Sequence, residues 1–250
     1  LGLALRGSRW HARALTLVLD ALHAARRAHE LPPFLDEAIA LGPPAGSPLA
    51  ISVGFARCTV LSSEGLYDAA MAALDTIEAA GVGSRTVELG VLRQRALVTG
   101  LQGDAQRAAA LSLKLLRALA GDPSLAAAAL RSDVHGMLSH CAARGVRGIG
   151  TLESNARVAI RIGRHSGCLP SILPSVRNLL AALDVRRAPL AEMRATFDAA
   201  MASVVARRVE NATVATMLSN FAWLLASAGE AAEAAATGRM AWEMFERLAF

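Results

Sequence analysis

Apolar residues return every three to four positions along most of this chain, broken at glycines, prolines and short polar clusters. That period predicts helices almost throughout. The first helix is expected over 9–30, with Ser8 as its N-cap and Pro32-Pro33 as its stop. The stretch 31–48 holds five of the nine prolines and reads as a connection around one short helix near 34–40. From Ser47 onward the helices come in pairs: 47–63 with 66–80, 85–101 with 104–120, and 124–143 with 151–165. Two more follow, 170–184 with 189–208 and 212–226 with 230–248. Ser47-Pro48 has the form of an N-cap followed by proline in the first turn, and Asp122-Pro123 repeats it.

The turns inside the pairs share a register. EGLYDAA (64–70), QGDAQRA (102–108) and AGEAAEA (228–234) each place a glycine between helices and an alanine five residues later. Seven residues before each glycine stands a small side chain: Cys58, Ala96 and Ala222. Gly65 and Gly103 are 38 residues apart, and the 126 residues from Gly103 to Gly229 fit three further repeats. Helices cross closely where both present small side chains, and one hairpin cannot bury its own apolar face. A period of this size therefore predicts an all-α chain, a stack of about five hairpins wound as an α-α superhelix. Gly7 precedes Ala12 by the same five residues, so LGLAL reads as the tail of a preceding helix and 1–31 as a partial repeat. The expected organisation is one domain over 1–250, with a Pro/Gly-rich connection at 32–48 and repeat pairs over 49–250.

A small residue in the first helix, glycine at the turn and alanine in the second helix resemble the tetratricopeptide (TPR) pattern. With the longer period and the Ala/Leu/Arg texture, the chain is most similar to the TPR-like sensor arrays of large LuxR-type, MalT-like ATP-dependent bacterial transcription regulators. Three of the five pairs carry the match. The joint ARGVRGIGT (143–151) and the glycine-free VRRAP (185–189) depart from it. The resemblance implies a non-enzymatic module that binds a protein, a peptide or a small inducer in its concave groove. The ATPase and helix-turn-helix of such regulators are expected elsewhere; no GxxxxGK[ST] is present.

Composition narrows the chemistry. Hydrophobic residues make up 54% of the chain, but alanine alone is about a fifth, which favours helices and gives little core volume. The formal charge of +5 is almost all arginine, Lys114 being the sole lysine. Cys58, Cys141 and Cys168 are odd in number and without a CxxC, which argues for a reducing, cytoplasmic setting rather than a disulfide scaffold. No apolar stretch is long enough to predict a membrane span.

The candidate binding residues follow from helix faces. Arg157, Arg161 and Arg164 fall on one face, with Val158 and Ile162 expected towards the core and Arg144 and Arg147 just upstream. This is an anion, acidic-partner or nucleic-acid surface in a second reading, although the aromatics that base stacking needs are missing and nucleic acid is not expected through this chain. Ser219, Asn220 and Trp223 of the last pair, and Arg93 and Gln94 of the second, are expected on the groove side. Leu218, Phe221, Ala222 and Leu225 would pack against Ala234, Ala241, Phe245 and Leu248. Gly145, Gly148 and Gly150 precede a helix start that could hold a phosphate, but they lack a preceding strand and the GxGxxG order. His135, His140, Cys141, His165 and Cys168 have no metal-site spacing, and no serine or cysteine has an activating partner. No metal, cofactor or catalytic residue is expected.

Overall fold

The structure, a computed structural model, describes residues 7–81 and 83–248. Among them, twelve α-helices and one 3-10 turn form all the regular structure, and there is no strand. Residues 1–6, where the tail of a preceding helix is expected, lie outside the described residues. None of the described helices is long and apolar enough to cross a membrane. Consecutive helices pack as neighbours, the arrangement of an α-α superhelix, and the chain divides into two compact units, Leu1–Leu111 and Ser112–Phe250.

The first unit contains α1 (Arg9–Ala24), the 3-10 turn Ala28–Glu30, α2 (Leu31–Ala40), α3 (Pro48–Ser63), α4 (Tyr67–Ala79) and α5 (Arg85–Leu101). α6 (Ala105–Ala118) straddles the division. The Ser8 and Ser47 hydroxyls accept from the backbone N–H of His11 and Ala50, so both caps stand where the sequence places them. The long first helix expected over 9–30 is corrected: α1 ends at Ala24, Arg26 turns left-handed with φ 57°, and Pro32-Pro33 open α2. First-turn N–H groups have no acceptor within the helix, so proline loses nothing there. Leu15, Leu19 and Leu22 of α1 meet Leu31 and Leu35 of α2 and Leu49 of α3 in one cluster. A second cluster joins Cys58, Leu74, Ile77, Val91 and Val98 across α3, α4 and α5.

The second unit runs through α7 (Leu125–Ala143), α8 (Leu152–Ser166), α9 (Leu169–Val185), α10 (Leu190–Ala206), α11 (Ala212–Ser227) and α12 (Ala231–Arg247). From α8 onward each packs on the one before it, and α9 also packs on α7 and α11, which lines up the first helices of successive hairpins. One apolar cluster extends from Ala156 to Leu248, with Phe197 stacked on Phe221 at 3.9 Å between ring centres. The closest approach is at Gly163, where an added Cβ would stand 2.6 Å from Ile172 and 2.8 Å from Ser132 Oγ. That crowding moves the buried stripe of α8 away from the expected Val158 and Ile162, which are half-buried. The stripe is instead Ala156, Ala159, Ile160 and Gly163, with short side chains at three of its four positions.

The shared turn has one hydrogen-bond signature. After Gly65, Gly103 and Gly229 (φ 78°, 96° and 87°), the next N–H donates back five residues, Leu66 to Leu61, Asp104 to Thr99 and Glu230 to Leu225. This is the Schellman closure of a helix end. The glycine-free VRRAP joint makes the same bond, Ala188 to Leu183 at 2.9 Å, with Arg187 taking the left-handed position at φ 55°. The small residues of the register, Cys58, Ala70, Ala96, Ala108 and Ala234, are buried; Ala222 is half-buried against Gly238.

Candidate functional site

α11 separates two faces sharply. Leu218, Phe221 and Leu225 are buried, while Ser219, Asn220 and Trp223 are exposed, the indole to 60%. In α12, Ala234, Ala241 and Leu248 answer from the core with Phe245 half-buried, and Trp242 stands outward. A tryptophan this far out leaves a large apolar plane with one N–H donor in water, the kind of side chain that anchors interfaces.

The arginine face of α8 is divided. Arg157 donates to Glu153 at 2.8 Å and to Glu192 of α10 at 2.9 Å; Arg186 donates to both Glu192 oxygens at 2.9 Å and approaches Glu153 at 3.3 Å. Two arginines and two glutamates thus close a ring that ties α8 to α10. The neighbouring Glu153 first, then Glu192, hold Arg157 more firmly protonated, and the Arg186 and Arg157 guanidiniums hold the Glu192 carboxyl below its ordinary range. Glu153 and Glu192 together offset this face, and Arg157, expected among its binding residues, is spent on structure. Arg161 and Arg164 are exposed and have no carboxylate partner among the described residues. The sequence could not pair Glu192 with Arg157, because the contact spans 35 residues and depends on how α10 returns.

Gln94, expected on the groove side, is buried instead. Its amide donates to His23 Nε2 at 3.2 Å, His23 Nδ1 donates to Thr59 Oγ1 at 2.8 Å, and Thr59 donates to the Phe55 carbonyl. Since the Thr59 hydrogen is committed to Phe55, the chain of bonds requires a neutral His23 with its proton on Nδ1. Gln94 therefore fastens α5 to α1 and α3 rather than meeting a ligand. Arg93 beside it is half-buried and also engaged.

The glycine joint ahead of α8 is filled by the protein itself. Asn155 is buried there and donates to the Ile149 and Thr151 carbonyls at 2.7 and 3.2 Å, while its Oδ1 accepts from His135 Nδ1 at 3.0 Å. Thr151 and Ser154 cap each other, and Glu153 places a negative charge in the first turn, where an anion would otherwise sit. Burial pushes the Cys58 and Cys141 thiols up, away from the reactive thiolate. His140 is pushed down, first by burial and then by Arg144 and Arg177. No group of three or more His, Cys, Asp or Glu among the described residues is arranged to hold a metal ion.

One feature lies outside the sequence expectations. In the first unit, Ala12, Thr16 and Leu17 of α1, Leu41 and Pro44 beyond α2, and Leu49 of α3 line a mainly apolar groove of about 580 Å³, with Arg9 and Arg13 also in its wall. The readable signal is Leu17, apolar and 63% exposed, on the same face as Arg9 and Arg13. No protein-family model matches the chain, and no curated protein matches it in sequence.

Proposed function

We propose that this chain is a non-enzymatic helical-repeat interaction module, the sensor region of a LuxR-type, MalT-like bacterial regulator, with a protein or peptide bound along the outer face of α11. The observation that carries the reading is Ser219, Asn220 and Trp223 together on solvent, on a helix whose opposite face is locked into the apolar cluster that runs from Ala156 to Leu248. A rigid helix with an exposed indole and two small polar neighbours offers apolar area and hydrogen bonds at little ordering cost. The shifted groups support a binding rather than a catalytic role: burial accounts for Cys58, Cys141 and His140, and ion pairing for Arg157 and Glu192. A partner at this face would read the module's state and pass it to output domains expected elsewhere in such a regulator.

The test is site-specific photocrosslinking in an extract of the source cells. A photoreactive residue at position 223 should capture a defined protein or peptide that the same residue at Val185, also exposed, does not capture. Trp223→Ala in a chain carrying the crosslinker at 219 should abolish that product. Identical capture at 223 and 185, or none at 223, removes the reading.

A further inference from the structure

We propose that the groove between the starts of α1 and α3 is a binding site for a small amphipathic carboxylate, an aliphatic chain ending in a single negative charge. The site lies in the first unit and stands apart from the reading of α11, so either can fail without the other.

The argument begins with shape and surface. A groove of about 580 Å³ falls within the range of small-molecule sites, roughly 300–1,000 Å³. Its floor is aliphatic: Ala12, Leu17, Leu41, Pro44 and Leu49 contribute methyl, methylene and ring carbons, and no aromatic ring is among them. A flexible hydrocarbon chain suits such a wall better than a flat aromatic ligand. Each methylene taken out of water should strengthen binding by up to about four-fold, so chain length should tune affinity.

The charge distribution then selects the head group. Arg9 and Arg13 are one helical turn apart on α1 and both belong to the lining, whereas no Asp or Glu does. Glu37 of α2 is taken: it accepts from Nε2 of the buried His11 at 3.0 Å, while His11 Nδ1 accepts from the Gly7 N–H at 3.1 Å. Arg9 lies over Trp10 at 5.1 Å, and Arg13 has no carboxylate partner among the described residues. The capped starts of α1 and α3, Ser8 and Ser47, border the same space, and neither helix carries an acid in its first turn. Two guanidiniums and two helix starts therefore border an apolar trough in whose described lining no residue is acidic.

The experiment is calorimetric titration of the full chain with decanoate below its micellar range, beside decanol and acetate. Decanoate should bind one to one, about ten-fold or more tighter than decanol, with acetate undetected. The double variant Arg9→Gln, Arg13→Gln should lower decanoate affinity by about ten-fold or more and leave decanol unchanged. Leu17→Glu, at an exposed position that folding does not depend on, should abolish decanoate binding. Arg161→Gln with Arg164→Gln, on the other unit, should change nothing. Equal affinity for decanoate and decanol, indifference to either groove variant, or no decanoate binding at millimolar concentration would each overturn the proposal. Binding only to anionic phospholipid vesicles, with none to monomeric decanoate, would also overturn it by making the groove a membrane contact.

Discussion

The two units hold their helices together in different ways. Among the described residues of the second, an extended apolar cluster runs from Ala156 to Leu248 and includes two stacked phenylalanines, while α7, α8 and α9 are also bridged by Ser132 to the Ala159 carbonyl and by Asn178 to the Gly136 carbonyl. The described clusters of the first are smaller, and its helices are bridged by His11 to Glu37, His23 to Thr59 and Gln94, and Ser52 to Asp20 at 2.6 Å. The difference shows what an alanine-rich chain does when apolar volume is short. Where long side chains meet, as at Phe197 and Phe221, burial fixes the packing; where short ones meet, as between α1, α3 and α5 or between α7, α8 and α9, directional hydrogen bonds help select one arrangement.

The largest break in this comparison is expected at Phe221. It is buried and stacked on Phe197, so Phe221→Ala opens a cavity in the Ala156–Leu248 cluster and should cost about 3–5 kcal/mol. Denaturant unfolding measures the loss, and hydrogen exchange in α9–α12 should place it there. A loss under 1 kcal/mol on the same scale would mean that the stack is not the keystone of this unit.

In the first unit the corresponding break is polar and smaller. Gln94→Leu keeps the volume but removes the donor to the half-buried His23 Nε2, which should cost about 1 kcal/mol. A neutral or stabilising result would show that apolar packing holds α5 in place and that the hydrogen-bond chain is incidental.

The contrast also explains what could be read in advance. Helix limits were legible to within a residue or two where a cap or a turn glycine marks them, because Ser8, Ser47 and Ser124 act on their own following turn. Gly65, Gly103 and Gly229 likewise close the helix they follow. The prolines at 32 and 33 were misread because the same residue that ends one helix can open the next. Among the candidate binding residues, exposure of Ser219, Asn220 and Trp223 followed from the apolar stripe of their own helix. Burial of Gln94 and neutralisation of Arg157 did not, since their partners His23 and Glu192 lie 71 and 35 residues away. Periodicity reports which face of a helix is polar; it does not report which helix will arrive to bond with it.

A third prediction uses acidity. Burial, with Arg144 and Arg177 nearby, lowers the pKa of His140 below its ordinary value of 6.5. The folded state therefore prefers neutral His140, and protonation favours the unfolded chain. Stability should fall as pH drops below about 6.5, by less than the loss at Gln94, and His140→Gln should flatten this part of the profile. Denaturant midpoints between pH 7.5 and 5.5 check it. Glu192, whose pKa lies below the ordinary carboxylate range, titrates at lower pH and stays charged across that window.

The smallest expected effect tests the turn shared by both units. Arg187 is exposed and left-handed at φ 55°, in the position that Gly65, Gly103 and Gly229 fill at the other hairpins. An L-residue there costs about 1–2 kcal/mol, part of which glycine gives back through its greater freedom when unfolded. Arg187→Gly should therefore stabilise the chain by about 0.5–1 kcal/mol, read as a higher denaturant midpoint with an unchanged slope. Arg187→Val should move stability the other way, because a β-branched side chain fits the left-handed region worst. If glycine destabilises, the side chain of Arg187 contributes more than its backbone strain costs, and the VRRAP joint differs in kind from the glycine turns it otherwise matches.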